Sequence, residues 1–251
     1  MNAPHPDWIV PDWPAPPGVR AFVTTRAGGV SPAPYDSLNL GRRTADADDN
    51  TARNRGILRA ALPSDPVWLN QVHGAAVVEA GPAAQDASAD ASFTAHPGVV
   101  CAVMTADCMP VLFASRDGSR VAAAHAGWRG LAGGVLEATA AALAVPGPGL
   151  IAWLGPAIGP DHFEVGEDVW QAFCAGDAAA ATAFRPYPGR PGKWLCDLYA
   201  LARRRLAALG IESFGGGACT VADPRFFSHR RDRGLTGRMA AVVWMAPAAG
   251  T

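Results

Sequence analysis

The sequence predicts an α/β fold, a single-domain sandwich with a mixed β-sheet flanked by helices. Three observations carry that expectation. Short apolar runs are interspersed with segments of helical periodicity without a regular βα alternation, at least one β-hairpin is written into the chain, and no stretch reads as an interdomain linker. A strict βα repeat would imply a doubly wound parallel sheet, whereas a hairpin among scattered helices implies a mixed one. Residues 1 to 18, rich in Pro and Trp, are expected to form an irregular lead-in on the surface, and residues 19–251 the single domain.

In chain order, strands are expected at Arg20 to Thr25, Val67 to Leu69, Ala75 to Glu79 and Val99 to Met104, each a short apolar run closed by turn formers. The hairpin follows. Pro110 to Ser115 and Arg120 to Ala124 flank Arg116-Asp117-Gly118-Ser119, and Asp-Gly between two apolar runs is a strong turn signal. Further strands are expected at Leu150 to Leu154, Ala218 to Val221 and Met239 to Met245. Helices are expected at Asn50 to Leu62, Leu131 to Val145, Glu164 to Ala175 and Asp197 to Leu209. In the last, Leu198, Ala202, Leu206 and Leu209 form an apolar stripe at helical spacing, Asp197 or Cys196 can open the helix, and Gly210 can end it. Ala80 to Ala95, polar and rich in small residues, reads as a loop near the site.

Composition excludes several classes of function. With 251 residues and 49% hydrophobic content the chain can bury a substantial core. A net charge of −1 and no basic run longer than Arg203-Arg204-Arg205 leave no footprint for nucleic acid. The start, Met1 to Trp8, has neither a basic nor an apolar region of a signal peptide, and no apolar stretch could span a bilayer. The five cysteines are odd in number and lack a C-x-x-C pair, so a disulfide framework is not expected and a reducing cytoplasm is.

The hairpin also carries chemistry. With Asp117-Gly118 at its turn, Pro110 faces His125 and Cys108 faces Gly127. Side chains alternate along strands, so Cys108 and His125 share a face as diagonal neighbours, with Cβ atoms roughly 7 Å apart. A metal ion can bridge that gap. His73, in Asn70-Gln71-Val72-His73-Gly74, is a third candidate ligand. Thiolate plus imidazole suits zinc or copper, and three protein ligands leave the open fourth position of a catalytic site.

These segments resemble, in order, the motifs of the multicopper polyphenol oxidoreductase (laccase-like) family. The likeness is carried by Asn70-Gln71-Val72-His73-Gly74, Thr105-Ala106-Asp107-Cys108-Met109-Pro110, Ala124-His125-Ala126-Gly127-Trp128-Arg129-Gly130, Gly155-Pro156-Ala157-Ile158-Gly159-Pro160 and Phe227-Ser228-His229-Arg230-Arg231-Asp232. Thr24 to Ser31 and Ser37 to Gly41 resemble its amino-terminal motifs. The resemblance implies a zinc held by His73, Cys108 and His125, with copper as a possible substitute. It also implies phosphorolysis of adenosine, inosine, guanosine and methylthioadenosine, together with adenosine deamination; a role in peptidoglycan editing is the alternative. Two departures bear on substrate preference: Asp161-His162 stand where a cysteine usually follows the Gly-Pro segment, and His229 stands in a tyrosine position.

The residues can support that chemistry. A zinc in this ligand set would lower the pKa of a bound water to about 7, which deamination at neutral pH requires. Asp107 is the carboxylate nearest Cys108 in sequence and a candidate acid/base, although adjacent strand residues point to opposite faces. Phosphorolysis needs an anion pocket. Arg26 before Gly28-Gly29 is one candidate, and Arg129, in a Gly-rich turn before the helix at Leu131, is another, with Arg230 a third. Asn39 and Gln71 could read a purine edge or a ribose hydroxyl, and Asp90 could orient a ligand. A four-copper oxidase needs about ten histidines, and this chain has six, so polyphenol oxidation ranks below the other readings. A metal-free hydrolase with Cys108 as nucleophile and His125 as base has no need of His73. The expected partners are a purine nucleoside and phosphate, with a muropeptide or nucleotide-sugar precursor as the alternative.

Overall fold

Strands that are apolar on both faces need cover on both sides, and this chain supplies it with four layers. The computed structural model describes residues 3–247. The first two residues of the expected lead-in and the last four of the expected domain lie outside them. In chain order the elements are β1 (Val19–Val23), α1 (Asp48–Ala60), β2 (Pro66–Val67), β3 (Val77–Glu79), β4 (Ala91–Thr94), β5 (Val100–Thr105), β6 (Met109–Ser115), β7 (Val121–Ala126), α2 (Trp128–Ala132), α3 (Val135–Leu143), β8 (Leu150–Leu154), β9 (Glu164–Val165), α4 (Glu167–Cys174), β10 (Phe184–Pro186), β11 (Trp194–Cys196), α5 (Leu198–Ala208), β12 (Glu212–Gly215) and β13 (Met239–Met245).

A four-stranded sheet ordered β1-β13-β5-β2 packs on a six-stranded sheet ordered β12-β8-β6-β7-β4-β3, and β10-β11-β9 form a small third sheet. Parallel pairs β2 with β5, β3 with β4 and β8 with β12 sit among antiparallel neighbours, so the sheets are mixed. Side-chain alternation sorts the strands between cores. Along β6, Val111 and Phe113 face α3 and α5, while Leu112 and Ala114 face the other sheet. Along β5, Cys101 and Val103 fill the space between sheets, and Val100 and Ala102 pack beneath Leu58 of α1. Each fully buried Leu or Phe contributes about 1.5–3 kcal/mol through removal from water. No helix among the described residues is long and apolar enough to cross a membrane.

The hairpin forms with the expected register. β6 and β7 pair without interruption from Met109 opposite Ala126 to Ala114 opposite Val121, placing Pro110 against His125. Its four-residue loop closes around Asp117, whose Oδ1 accepts from Ser115 Oγ (2.6 Å), Ser119 Oγ (2.8 Å) and Ser119 N (3.0 Å).

Other boundaries differ for local reasons. α1 begins at Asp48 because Asp48 and Asp49 suit the positive end of the helix dipole. The helix expected from Leu131 to Val145 is broken at Gly133-Gly134, where Gly134 takes φ 90°, giving a five-residue α2 and a separate α3. Glu164-Val165 pairs with Leu195 and Trp194 as strand rather than opening α4. Ala218 to Val221 makes only an isolated bridge, Cys219 to Ala157. Part of the loop expected at Ala80 to Ala95 is strand β4, and the lead-in is tied down by Ile9 bridging Val23 and by buried Trp8 stacked on Phe22. α5 opens at Asp197, which accepts from Ala200 N at 2.9 Å.

Candidate metal centre and cavity

The loop between β2 and β3, the loop between β5 and β6 and the end of strand β7 meet at one place. They bring one donor atom each from His73, Cys108 and His125 to within 4.8 Å of one another. Cys108 Sγ lies 3.8 Å from His73 Nε2, and the two imidazole rings are edge to face at 4.9 Å. Gly127 makes the convergence possible: a Cβ there would stand 2.7 Å from Cys108 Sγ and 3.3 Å from His73 Cδ2. Two ligand-bearing loops also adopt the left-handed backbone that side chains disfavour, at His73 (φ 62°) and Asp107 (φ 82°).

Asp90 holds two of the three ligands. It is fully buried just before β4, and all four acceptor positions of its carboxylate are used. Oδ1 accepts from His125 Nδ1 (2.9 Å) and His73 N (2.9 Å), and Oδ2 from Gly74 N (2.7 Å) and Val72 N (3.2 Å). The bond to His125 Nδ1 leaves Nε2 as that residue's free donor atom, the arrangement that metal-bound imidazoles show. Burial raises the carboxyl pKa of Asp90, but these bonds outweigh it and hold the group below the ordinary carboxylate range. Burial likewise opposes ionisation of Cys108, yet His125 and His73 bring its thiol down to about 6, while the thiolate and Asp90 push His125 up to about 9. The donor chemistry therefore fits a soft or borderline divalent cation, with the thiol ready to lose its proton at neutral pH.

The triad opens into a cavity of about 510 Å³, within the range of small-molecule sites. Its apolar wall includes Trp68, Leu69, Met104, Trp128, Ile158 and Phe163. Gln71, Asp107, Arg129 and Arg230 also line it, so the structure brings these expected site residues together with the triad.

Their contacts differ from the expected roles. Gln71 spends both ends of its amide on Met104, donating to its O and accepting from its N at 2.8 Å each, which fixes the His73 loop to β5. Asp107 accepts from Thr220 Oγ1 (2.5 Å) and Arg230 N (2.6 Å), a contact set that positions the Arg230 loop. Arg129 stacks over Trp128 at 4.4 Å inside the short α2 rather than ahead of a helix at Leu131. Arg230 lies over Phe163 at 5.6 Å and reaches Glu164 O.

Arg26 and Asn39 are not brought to the cavity. Arg26 bonds Asp36 and stacks on Phe227, and the nearby Ala27 and Gly29 N–H groups donate to Thr25 and Ser37. Asn39 is a buried hub whose Oδ1 accepts from Gly41 N and Arg238 N, and whose Nδ2 donates to Thr44 and Asp46. His162 stands by Cys219 Sγ at 3.5 Å, and His229 lines the cavity. Arg42, Arg43, Arg55 and Arg238 also line it and were missed in the sequence, where nothing distinguishes them from surface arginines.

Fold and site thus define an α/β sandwich with an open Cys-His-His centre beneath an aromatic cavity. A family model described as multi-copper polyphenol oxidoreductase laccase matches residues 20–246, and the chain belongs to that family. It is 56% identical over 247 residues to a purine nucleoside phosphorylase of Pseudomonas aeruginosa, covering 98% of this chain and 99% of the relative. It is 54% identical to the purine nucleoside phosphorylase YfiH of Escherichia coli over 242 residues, 94% of this chain and 98% of that one. A crystal structure of a Neisseria meningitidis protein superposes with a TM-score of 0.91 at 51% identity, covering 96% and 100% of the two chains.

Proposed function

We propose that this chain is a zinc-dependent purine nucleoside phosphorylase that also deaminates adenosine. The observation that carries the reading is the continuity of the His73, Cys108 and His125 donor set with an aromatic, arginine-lined cavity. The names of the relatives support the phosphorylase part.

In phosphorolysis a phosphate oxygen forms a bond to ribose C1′ while the C1′–N bond breaks. The purine leaves with that electron pair and gains a proton, so adenosine and phosphate give adenine and ribose 1-phosphate. In deamination water adds at C6 and ammonia leaves, giving inosine. Zinc held by His73, Cys108 and His125, or copper in its place, would supply a Lewis acid and lower the pKa of water to about 7. Trp128, half-buried in the cavity wall, offers flat apolar surface to a purine ring. Arg129 and Arg230, whose guanidinium groups carry no ion pair among the described residues, contact the substrate's polar edge, and Asp107 sets the position of Arg230. Asp90 holds His73 and His125 in orientation.

Chromatography of adenosine incubated with zinc-loaded protein, with and without phosphate and beside Cys108→Ala, tests the reading. Adenine formed only with phosphate and inosine formed without it, neither with Cys108→Ala, are the expected products. No product under any condition overturns it.

A further inference from the structure

We infer that Arg42, Arg55 and Arg238 form an oxyanion subsite in the wall of the cavity, and that its ligand is a phosphoryl group. Six arginines line this one cavity: Arg42, Arg43, Arg55, Arg129, Arg230 and Arg238. Among the described residues none of the six lies within ion-pair distance of a carboxylate, whereas nine arginines elsewhere each hold one. The cavity's own carboxylates, Asp86 and Asp107, stay beyond that distance, and Asp107 is occupied by Thr220 and the Arg230 backbone.

The three arginines share one wall. Arg42 and Gly41 belong to the segment between β1 and α1, and Arg55 lies on α1. A Cβ on Gly41 would stand 2.7 Å from Arg238 Cγ, so the stem of Arg238 packs directly on the backbone beside Arg42. Arg238 N and Gly41 N are tied to the same Asn39 oxygen. Arg55 places its Cζ over the Trp68 ring at 4.3 Å, with Nε bonded to Leu40 O and Nη2 near only the weak acceptor Met104 Sδ at 3.8 Å. Arg238 uses Nη1 on two carbonyls of its own strand approach, Thr236 O and Gly237 O.

Arg55 and Arg238 are half-buried and Arg42 is exposed beside them, and guanidinium groups taken partly out of water with no carboxylate in direct contact are costly to maintain. Burial, and then Arg42, bring the Arg55 pKa down to about 10, against a smaller opposing pull from the more distant Asp86 carboxylate. A dianion with several acceptor oxygens removes the repulsion and takes the unspent N–H groups as forked, charge-assisted bonds. A phosphoryl group matches both requirements, and a single carboxylate meets only half of the charge. The choice of phosphoryl among oxyanions rests on the nucleoside reading, but the existence of an oxyanion site does not.

The test is calorimetric titration of zinc-loaded, full-length protein with inorganic phosphate, adenosine and adenosine 5′-monophosphate. Wild type is compared with Arg55→Gln, Arg42→Gln and the distant control Arg116→Gln. Phosphate is expected to bind wild type and the control alike, and at least about 10-fold more weakly to either cavity variant, the equivalent of one lost charged hydrogen bond. If the monophosphate also binds more tightly than adenosine, and loses that advantage in the variants, the phosphoryl group is carried on the substrate. Phosphate binding without that advantage makes it a free co-substrate. Unchanged phosphate affinity in the variants, or no binding of phosphate or monophosphate to wild type, overturns the inference. Arg42 is exposed, so Arg42→Gln carries the test should Arg55→Gln not fold. Binding is read without turnover, so an absence of adenine and inosine in the product assay leaves this result standing.

Discussion

Asp90→Asn exchanges one acceptor oxygen for an NH2 group at a site where four donors converge. Whichever way the amide is turned, two of those bonds are lost and a donor faces donors: His125 Nδ1 and His73 N on one side, or Gly74 N and Val72 N on the other. Hydrogen bonds to a charged acceptor contribute about 1.5–3 kcal/mol each, so the loss is about 3–6 kcal/mol. For a chain of this size that lowers the Tm by about 6–24 °C. Loss of a residue that orients a metal-bound histidine also weakens metal binding by about 10–100-fold.

Thermal unfolding of the metal-free protein and zinc titration against a competing chelator read the two effects separately. The pH dependence has a definite sign. Because the folded carboxyl lies below its ordinary value, its contribution is complete above about pH 4 and is lost as pH falls through the depressed folded value. The gap between wild type and Asp90→Asn therefore narrows in acid, and it narrows again as pH rises above about 6.5 and through about 9, where His125, which Asp90 helps to hold protonated, gives up its proton. An Asp90→Asn protein within about 1 kcal/mol of wild type, with unchanged zinc affinity, would refute the reasoning.

Two further outcomes follow from the same contacts. In zinc-free protein, iodoacetamide labelling of Cys108 is expected to rise through about pH 6 and to be suppressed by zinc; buried Cys101, Cys174 and Cys196, whose thiols burial pushes up, stay unlabelled. Peptide mapping reads this, and equal labelling with and without zinc would favour a free Cys-His nucleophile over a metal ligand. Asn39→Ala leaves Gly41 N and Arg238 N without their acceptor and should cost about 2–4 kcal/mol in urea unfolding; a loss near zero would mean that water replaces the amide.

The hairpin and its register were legible because Asp117-Gly118 lies between two apolar runs, and from that register the shared face of Cys108 and His125 followed. That β5 and β13 belong to a second sheet was not legible. Strands apolar on both faces read alike whether helices or another sheet cover them. Asp90 could be noticed as an acid in a small-residue segment, but its four donors come from residues brought together only by folding. Arg55 and Arg238 were invisible for the same reason. They are 183 residues apart in a chain of 251, and what marks them is that no carboxylate lies in direct contact with either, a property of space rather than of spacing.

One consequence of the double burial of β6 and β7 concerns how the ligands find each other at all. In a sheet with one wet face, a one-residue slip exposes apolar side chains and is punished at once; here both faces are apolar, so a slip trades one greasy environment for another. Hydrophobicity alone cannot count residues along this ladder. The counting falls to the loop at its far end, where one carboxylate oxygen of Asp117 gathers Ser115 and Ser119, and to the fit of large against small side chains. Cys108 and His125 are thus aligned by a turn at the opposite end of the strands.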